Sequence, residues 1–213
     1  MVARGRPVSR VVTVSASYGA GGSIVAPRVA KRLGLPFADR LIPATDRAQT
    51  NEAGEQLAPD ERQQLARGSF LVRLASIGSG FGLPVPEADD FGDQVRNLVE
   101  ESIQRVAHGN GGVILGRAGA IVLGRHPGSF HVRLDGSPER RLAQAMEIEG
   151  CDLDTARARQ ADTDRARSRY VSRLYGCDPA DPSRYHVVID STAIPLDDCV
   201  EVIATAAEAF WAR

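Results

Sequence analysis

The sequence predicts an α/β fold of three layers, a central parallel sheet with helices on both faces. Three observations predict it. Apolar strand-like runs alternate with segments of helical period along the chain. The first run, Val11-Val12-Thr13-Val14-Ser15, is β-branched at nearly every position, as in strands covered on both faces. That strand enters a glycine-rich turn, Gly19-Ala20-Gly21-Gly22, and then a helix. Alternating strands and helices build a parallel sheet. Its ligands bind at the carboxyl ends of the strands.

Each element follows from local pattern. Between Gly21 and Leu33 apolar residues recur at Val25, Val29 and Leu33, a helical spacing, and Gly34 closes the helix. Pro27 lies beyond the first turn of that helix and removes one backbone hydrogen bond. Leu35 to Asp39 reads as a second short strand. Residues 43–68 are polar without a clear period, a helix or a mobile segment. Ser69 to Ile77 reads as helix and Gly78 to Asp90 as a Gly/Pro loop.

Asp93 to His108 has an apolar stripe at Val95, Leu98, Val99, Ile103 and Val106, the mark of an amphipathic helix, and Gly109-Asn110-Gly111-Gly112 ends it. Val113-Ile114-Leu115 is a buried strand followed by Gly116-Arg117. Ala118 to Leu123 is a short helix, and Phe130 to Leu134 another strand. Ser137 caps the next helix, with Pro138 at its first position. Asp152 caps a further, highly charged helix. Val187 to Asp190 is the last strand. Leu196 to Trp211 is the last amphipathic helix, apolar at Leu196, Val200, Ile203, Ala207 and Phe210.

Composition narrows the function classes. The chain has 213 residues, 43% apolar and 25% charged, which suits one globular domain with an insertion or at most two small ones. Its net charge of −1 argues for neither nucleic acid nor a membrane surface as partner. The apolar run after the basic N-terminus is too short for a signal peptide, and no run reaches a membrane span, so a cytoplasmic location is expected. Cys151, Cys177 and Cys199 are widely spaced and read as reduced structural thiols, with no metal cluster. The basic residues are unusual: Lys31 is the single lysine, and the other 25 of 26 are arginines. Arginine grips phosphate bidentately but cannot act as a Schiff-base amine.

The glycine turn half-fits two templates. A P-loop reads GxxxxGK[ST], in which backbone N–H groups cradle phosphates, Lys reaches the terminal phosphate and Ser/Thr holds Mg²⁺. Gly21 and Ser23 fit it, but Ala16 replaces the first glycine and Gly22 the lysine. Lys31, two helical turns on, cannot substitute. The dinucleotide template GxGxxG with an acid about 20 residues on is met by Gly19, Gly21 and Asp39, but Ile24 fills its third glycine. Two further features suit phosphate chemistry. Asp164-Arg165-Ala166-Arg167, continuing to Arg169 and Arg173, is either a solvated helix face with an Asp164–Arg167 pair or a set of arginines that closes on transferring phosphates. Gly116-Arg117 puts a cation at the ligand end of a strand.

In this order the pieces resemble the cytidylate kinase-like family, relatives of bacterial CMP kinases and other P-loop nucleoside monophosphate kinases. Gly19-Ala20-Gly21-Gly22 looks like that family's GSGG-type loop, and Leu33-Gly34-Leu35-Pro36-Phe37-Ala38-Asp39 like its LGIPF-D strand. Gly112 to Leu123 is similar to its VIVGR strand and turn. Ser137-Pro138-Glu139-Arg140-Arg141 is similar to SPEER, Asp164 to Arg167 to the lid DxxR, and Tyr185-His186 to Asp190-Ser191-Thr192 to the closing YH…D-[ST]-[ST]. The resemblance implies a P-loop nucleoside monophosphate kinase-like domain over 1–213, with an acceptor-binding insertion and helix at 43–110 and a lid at 150–184.

It also implies that Gly19, Ala20, Gly21, Gly22 and Ser23 face ATP phosphates, with Ser23 on Mg²⁺. Arg167 and Asp164, helped by Arg165 or Arg173, would serve transfer. Asp39, Arg40 and Arg117 would bind the acceptor, CMP or dCMP as first choice. Two positions depart from CMP kinases: Ala118 where they carry Asp, and Gln160 where they carry a lid Arg. The expectation is therefore ATP-dependent phosphoryl transfer to a small nucleotide. The alternatives are a nucleotide-binding sensor or regulator of the same fold and, third, a dinucleotide-binding fold.

Overall fold

The computed structural model describes residues 8–38, 88–116 and 118–213, with backbone alone for residues 88–95 and 98. The expectations for 43–87, including the helix at 69–77, and those for Asp39, Arg40 and Arg117 lie outside the described residues.

The elements run β1 (Val11–Ala16), α1 (Gly22–Leu33), β2 (Phe37–Ala38), α2 (Ala88–His108), β3 (Gly112–Leu115) and α3 (Gly119–Val122). They continue with β4 (Ser129–Asp135), α4 (Pro138–Glu149), α5 (Leu153–Tyr175), β5 (Val187–Asp190) and α6 (Leu196–Trp211). The five strands form one sheet in the order β2-β3-β1-β4-β5, and every pairing is parallel. This is not the 3-2-1-4-5 order of the dinucleotide-binding folds. β1 is central, with Val14 opposite both Leu115 and Val132.

Burial on both faces explains the β-branched composition of β1. Val12 and Val14 face a core shared with Val25 and Val29 of α1 and Val200, Ile203 and Ala207 of α6. Val11 faces the opposite layer, with Val99 and Ile103 of α2 and Leu123. On that side His131 is buried, 4% exposed. Its Nδ1 lies 2.8 Å from Thr13 Oγ1, and its ring stacks on His186 at 5.1 Å. Burial, reinforced by His186, lowers the His131 pKa to about 4.

The helix signals act where the residues place them. Ser137 accepts from the Arg140 amide and Asp152 from the Thr155 amide, at 3.3 and 2.8 Å. Gly34 closes α1 in the left-handed conformation at φ 65°. Pro27 sits inside α1, which continues to Leu33 without it as a donor. The largest boundary difference is in α2, which begins at Ala88, within the stretch that reads as loop through Asp90; β2 is also shorter than expected, starting at Phe37 and not Leu35. Among the described residues no helix is long and apolar enough to cross a membrane.

Candidate functional site

The chain leaves β1 at the centre of the sheet and turns through Ser17 to Gly21 before entering α1. Two glycines make the turn possible. Gly19 has φ 76°, and a Cβ there would lie 2.1 Å from the Arg141 carbonyl oxygen. Gly21 caps α1 at φ 72°. The Ala20 amide closes the turn onto the Ser17 carbonyl at 3.1 Å, and the Ile24 and Val25 amides both reach the Gly21 carbonyl. Among the described residues, the amides of Gly19, Gly21, Gly22 and Ser23 donate to no other group. Four N–H groups at a helix start form an anion cradle. Ser23 is exposed in the second helical position, on the wall of a cleft of about 750 Å³. Ala20 departs from the sequence expectation: its methyl is fully buried in the core and its amide is used inside the turn.

Gly22, where a P-loop carries lysine, is glycine for a steric reason. Its φ is not positive, so the backbone tolerates a side chain. A Cβ there would lie 2.6 Å from the Ala16 methyl. Ala16 in turn occupies the position of the first P-loop glycine. The two departures are thus one: the methyl at 16 takes the space that a side chain at 22 would need.

Cationic charge comes instead from three arginines on three elements. Arg133 lies on β4, is 9% exposed, and donates to Ser17 Oγ at 3.0 Å and to Asp135 at 2.7 Å. Its other terminal nitrogen donates to the Pro179 carbonyl at 3.0 Å. Arg141 on α4 is 8% exposed and donates to the Gly136 and Tyr18 carbonyls at 3.1 and 2.9 Å. Arg167 on α5 donates to the Ala16 carbonyl at 2.8 Å. Burial lowers the Arg167 pKa; Asp164 opposes the shift, and the Arg133 and Arg141 charges add to it. The residue keeps solvent-exposed surface and, as a guanidinium, its proton. Burial raises the Asp135 carboxyl, but Arg133 outweighs it and the net shift is downward.

Tyr18 ties the turn to α4. Its hydroxyl donates to Glu149 at 2.9 Å, and its pKa is pushed up to about 12, by burial first and then by Glu149. Arg159 of α5 pairs with the same carboxylate at 2.7 Å.

Only part of the charged run of α5 meets the cleft. Thr163, Asp164, Arg167 and Val171 line it, whereas Arg165 and Arg173 are exposed outside it. Asp164 does not pair with its helix neighbour Arg167. It accepts from the Tyr18 amide at 2.9 Å and from Arg141 at 2.7 Å. Ala118 adopts φ 56°, the only left-handed non-glycine among the described residues, and Gln160 donates to the Pro138 carbonyl at 3.1 Å. Arg133, Asp135 and Arg141 were not candidates from sequence. The available signal was Arg133 and Asp135 themselves, charges within a strand covered on both faces, which such a strand keeps only when they are paired.

A P-loop-type cradle with free amides and convergent arginines fits a polyphosphate, and Ser23 offers one hydroxyl for a phosphate-bound Mg²⁺. Among the described residues no group of three or more His, Cys, Asp or Glu could hold a metal by itself.

Comparison with known proteins agrees with this architecture. A uronate isomerase from Corynebacterium glutamicum is 30% identical over 135 residues, which cover 62% of this chain and 26% of that protein. The chain thus spans about a quarter of the length of that relative. A cytidylate kinase from Methanopyrus kandleri is 24% identical over 217 residues, 97% of each chain. Among solved structures, an uncharacterized protein from Eubacterium ventriosum superposes with TM-score 0.64 at 16% identity, over 94% of this chain and 99% of that one. Shikimate kinase from Acinetobacter baumannii, in complex with shikimate, gives TM-score 0.50 at 14% identity, over 94% of each. These two share the fold. The cytidylate kinase-like family model matches residues 11–193, from the first residue of β1 to just beyond β5, so the chain belongs to the cytidylate kinase-like family.

Proposed function

We propose that the protein transfers the γ-phosphoryl group of ATP to a nucleoside monophosphate or a similar small phosphate acceptor, with CMP or dCMP as the first candidates. The observation that carries this reading is the set of four unpartnered amides at Gly19, Gly21, Gly22 and Ser23 beside Arg167. The amides would hold the β-phosphate, and the Ser23 hydroxyl would ligate Mg²⁺, which neutralises phosphate charge when bound. Arg167 would exchange the Ala16 carbonyl for the γ-phosphoryl oxygens. An acceptor phosphate oxygen would attack the γ-phosphorus in line while the bond to the β–γ bridging oxygen breaks, releasing ADP. Charge neutralisation and positioning suffice for such a transfer, without a covalent enzyme intermediate. Arg165 and Arg173 start outside the cleft, so Arg167 carries the larger share. Arg117, on the family resemblance, and Asp39 with its neighbour Arg40, from their place in the sequence at the ligand end of a strand, are assigned to the acceptor.

The test is ADP formation from ATP and Mg²⁺ across a panel of nucleoside monophosphates. Turnover with any acceptor supports the kinase. In that assay Arg167→Ala should lower kcat by about 10³-fold, the low end of what phosphoryl-transfer arginines supply. An unchanged rate removes Arg167 from the mechanism. One observation favours a second reading, a nucleotide-binding sensor with little turnover: the methyl of Ala16 excludes a lysine at Gly22. ATP binding without turnover across the panel would select it.

A further inference from the structure

Asp164 occupies an anion site. One carboxylate oxygen accepts from the Tyr18 amide at 2.9 Å and the other from the Arg141 guanidinium at 2.7 Å. Arg141 is nine-tenths buried and clamps the same residue from its other side, donating to the Tyr18 carbonyl at 2.9 Å. The Tyr18 amide stands next in chain to the Gly19 amide of the cradle. The Asp164 site therefore continues the glycine cradle, with a rigid buried cation behind it.

Three features make the occupant exchangeable. The Asp164 side chain keeps 31% of its surface exposed, so it has a path to water and the two bonds it gives up pass to the incoming anion, whereas the Arg141 side chain keeps 9% and stays in place. α5 has 23 residues and fully buries only Ala156, Tyr170 and Val171, so little apolar surface anchors it and its ties to the turn are mainly polar. The local charge is also unbalanced. Arg133, Arg141 and Arg167 bring three positive charges against Asp135 and Asp164, leaving one positive charge with the carboxylate seated and two without it. A phosphate oxyanion satisfies both donors and carries more charge than a carboxylate.

We propose that the Tyr18 amide and Arg141 form a phosphate subsite beside the glycine cradle, that Asp164 fills it as an internal placeholder, and that an entering phosphate group replaces the carboxylate. The proposal rests on the reading of the glycine turn as a phosphate cradle. It makes Arg141 a binding residue and Asp164 a competitor of the ligand.

Inorganic pyrophosphate is the probe, added to the full chain and followed by amide NMR. The Tyr18 amide resonance should move together with those of Gly21, Gly22 and Ser23. Movement of those three with Tyr18 unchanged means that anions bind the cradle without displacing Asp164, and overturns the proposal alone. No movement of any of them overturns the cradle reading and the proposal with it. As a second measurement, Asp164→Asn should bind pyrophosphate about 10-fold more tightly by calorimetry, because the competing charge is gone. It should also bring faster hydrogen exchange at the Tyr18 amide in the free protein. Equal or weaker binding by a folded Asp164→Asn overturns the placeholder role, and the wild-type spectra decide the question if that variant does not fold.

Discussion

Replacing Gly22 by lysine would complete the P-loop pattern on paper, yet it should weaken the protein. The lysine Cβ would start 2.6 Å from the Ala16 methyl, where carbon atoms prefer a separation of about 3.5–4.0 Å. The methyl is fixed to the end of the central strand, so relief needs a shift of about 1 Å in β1 or α1. Overpacking of this kind costs about 1–3 kcal/mol. A cation in the first turn of α1 opposes the helix dipole by about 0.5 kcal/mol, and losing a helical glycine returns a similar amount. The net loss is about 2 kcal/mol, or about 4–8 °C in Tm for a chain of this size. Thermal melts of Gly22→Lys, Ala16→Gly and the double variant measure it. Ala16→Gly removes the clashing atom, so the double variant should recover at least about 1 kcal/mol relative to additivity. Nucleotide affinity should rise only in the double variant. An additive cycle, or a Gly22→Lys protein that melts with the wild type, refutes the steric account.

Other predictions concern the turn and the buried charges. Gly19→Ala combines a left-handed backbone with a Cβ 2.1 Å from the Arg141 carbonyl, and should cost about 3 kcal/mol and abolish ATP binding in a calorimetric titration. Arg133→Met leaves Asp135 with the Gly136 amide at 3.0 Å and, as its one cation among the described residues, Arg141 at 3.5 Å. Because the Asp135 side chain is one-third exposed, the loss in urea unfolding should be about 2 kcal/mol, and Arg133→Met with Asp135→Leu should regain most of it. His131 titrates at about 4 in the folded protein against 6.5 unfolded, so between these values the unfolded chain binds more protons. Stability should therefore fall as pH drops from 6.5 towards 4, by about 3 kcal/mol from this residue, and stay flat above 6.5. Urea unfolding of His131→Gln should show a shallower slope in that window. An unchanged slope assigns the acid sensitivity elsewhere.

Much of the architecture was legible because its signals are local. β-branched runs such as Val11 to Ser15 need no distant partner to mark a buried parallel strand. Ser137, Asp152 and Gly34 announce helix ends through their own backbone chemistry. The glycines at 19 and 21 declare a turn that only they can make. The ordered motifs also pointed to the family that the comparison confirmed. The start of α2 was missed because the residues before Asp93 lack the apolar period that marks its second half.

The site itself depended on separations that no local pattern contains. Ala16 and Gly22 looked like two defects in a motif; folding the turn brings their Cβ positions together and makes them a single steric choice. The charged run of α5 offered Arg165 and Arg173 as helpers of Asp164 and Arg167, but side chains on one helix cannot all face one cleft, and docking turned only Asp164 and Arg167 of these four inward. Arg133 and Arg141, from a strand and a different helix, converge on the turn only because β4 pairs beside β1. The sequence by itself determined where the glycine turn and its free amides would form, since backbone conformation is set by neighbouring residues. Which charges surround that turn was decided only by tertiary structure, because electrostatic partners are selected by distance in space.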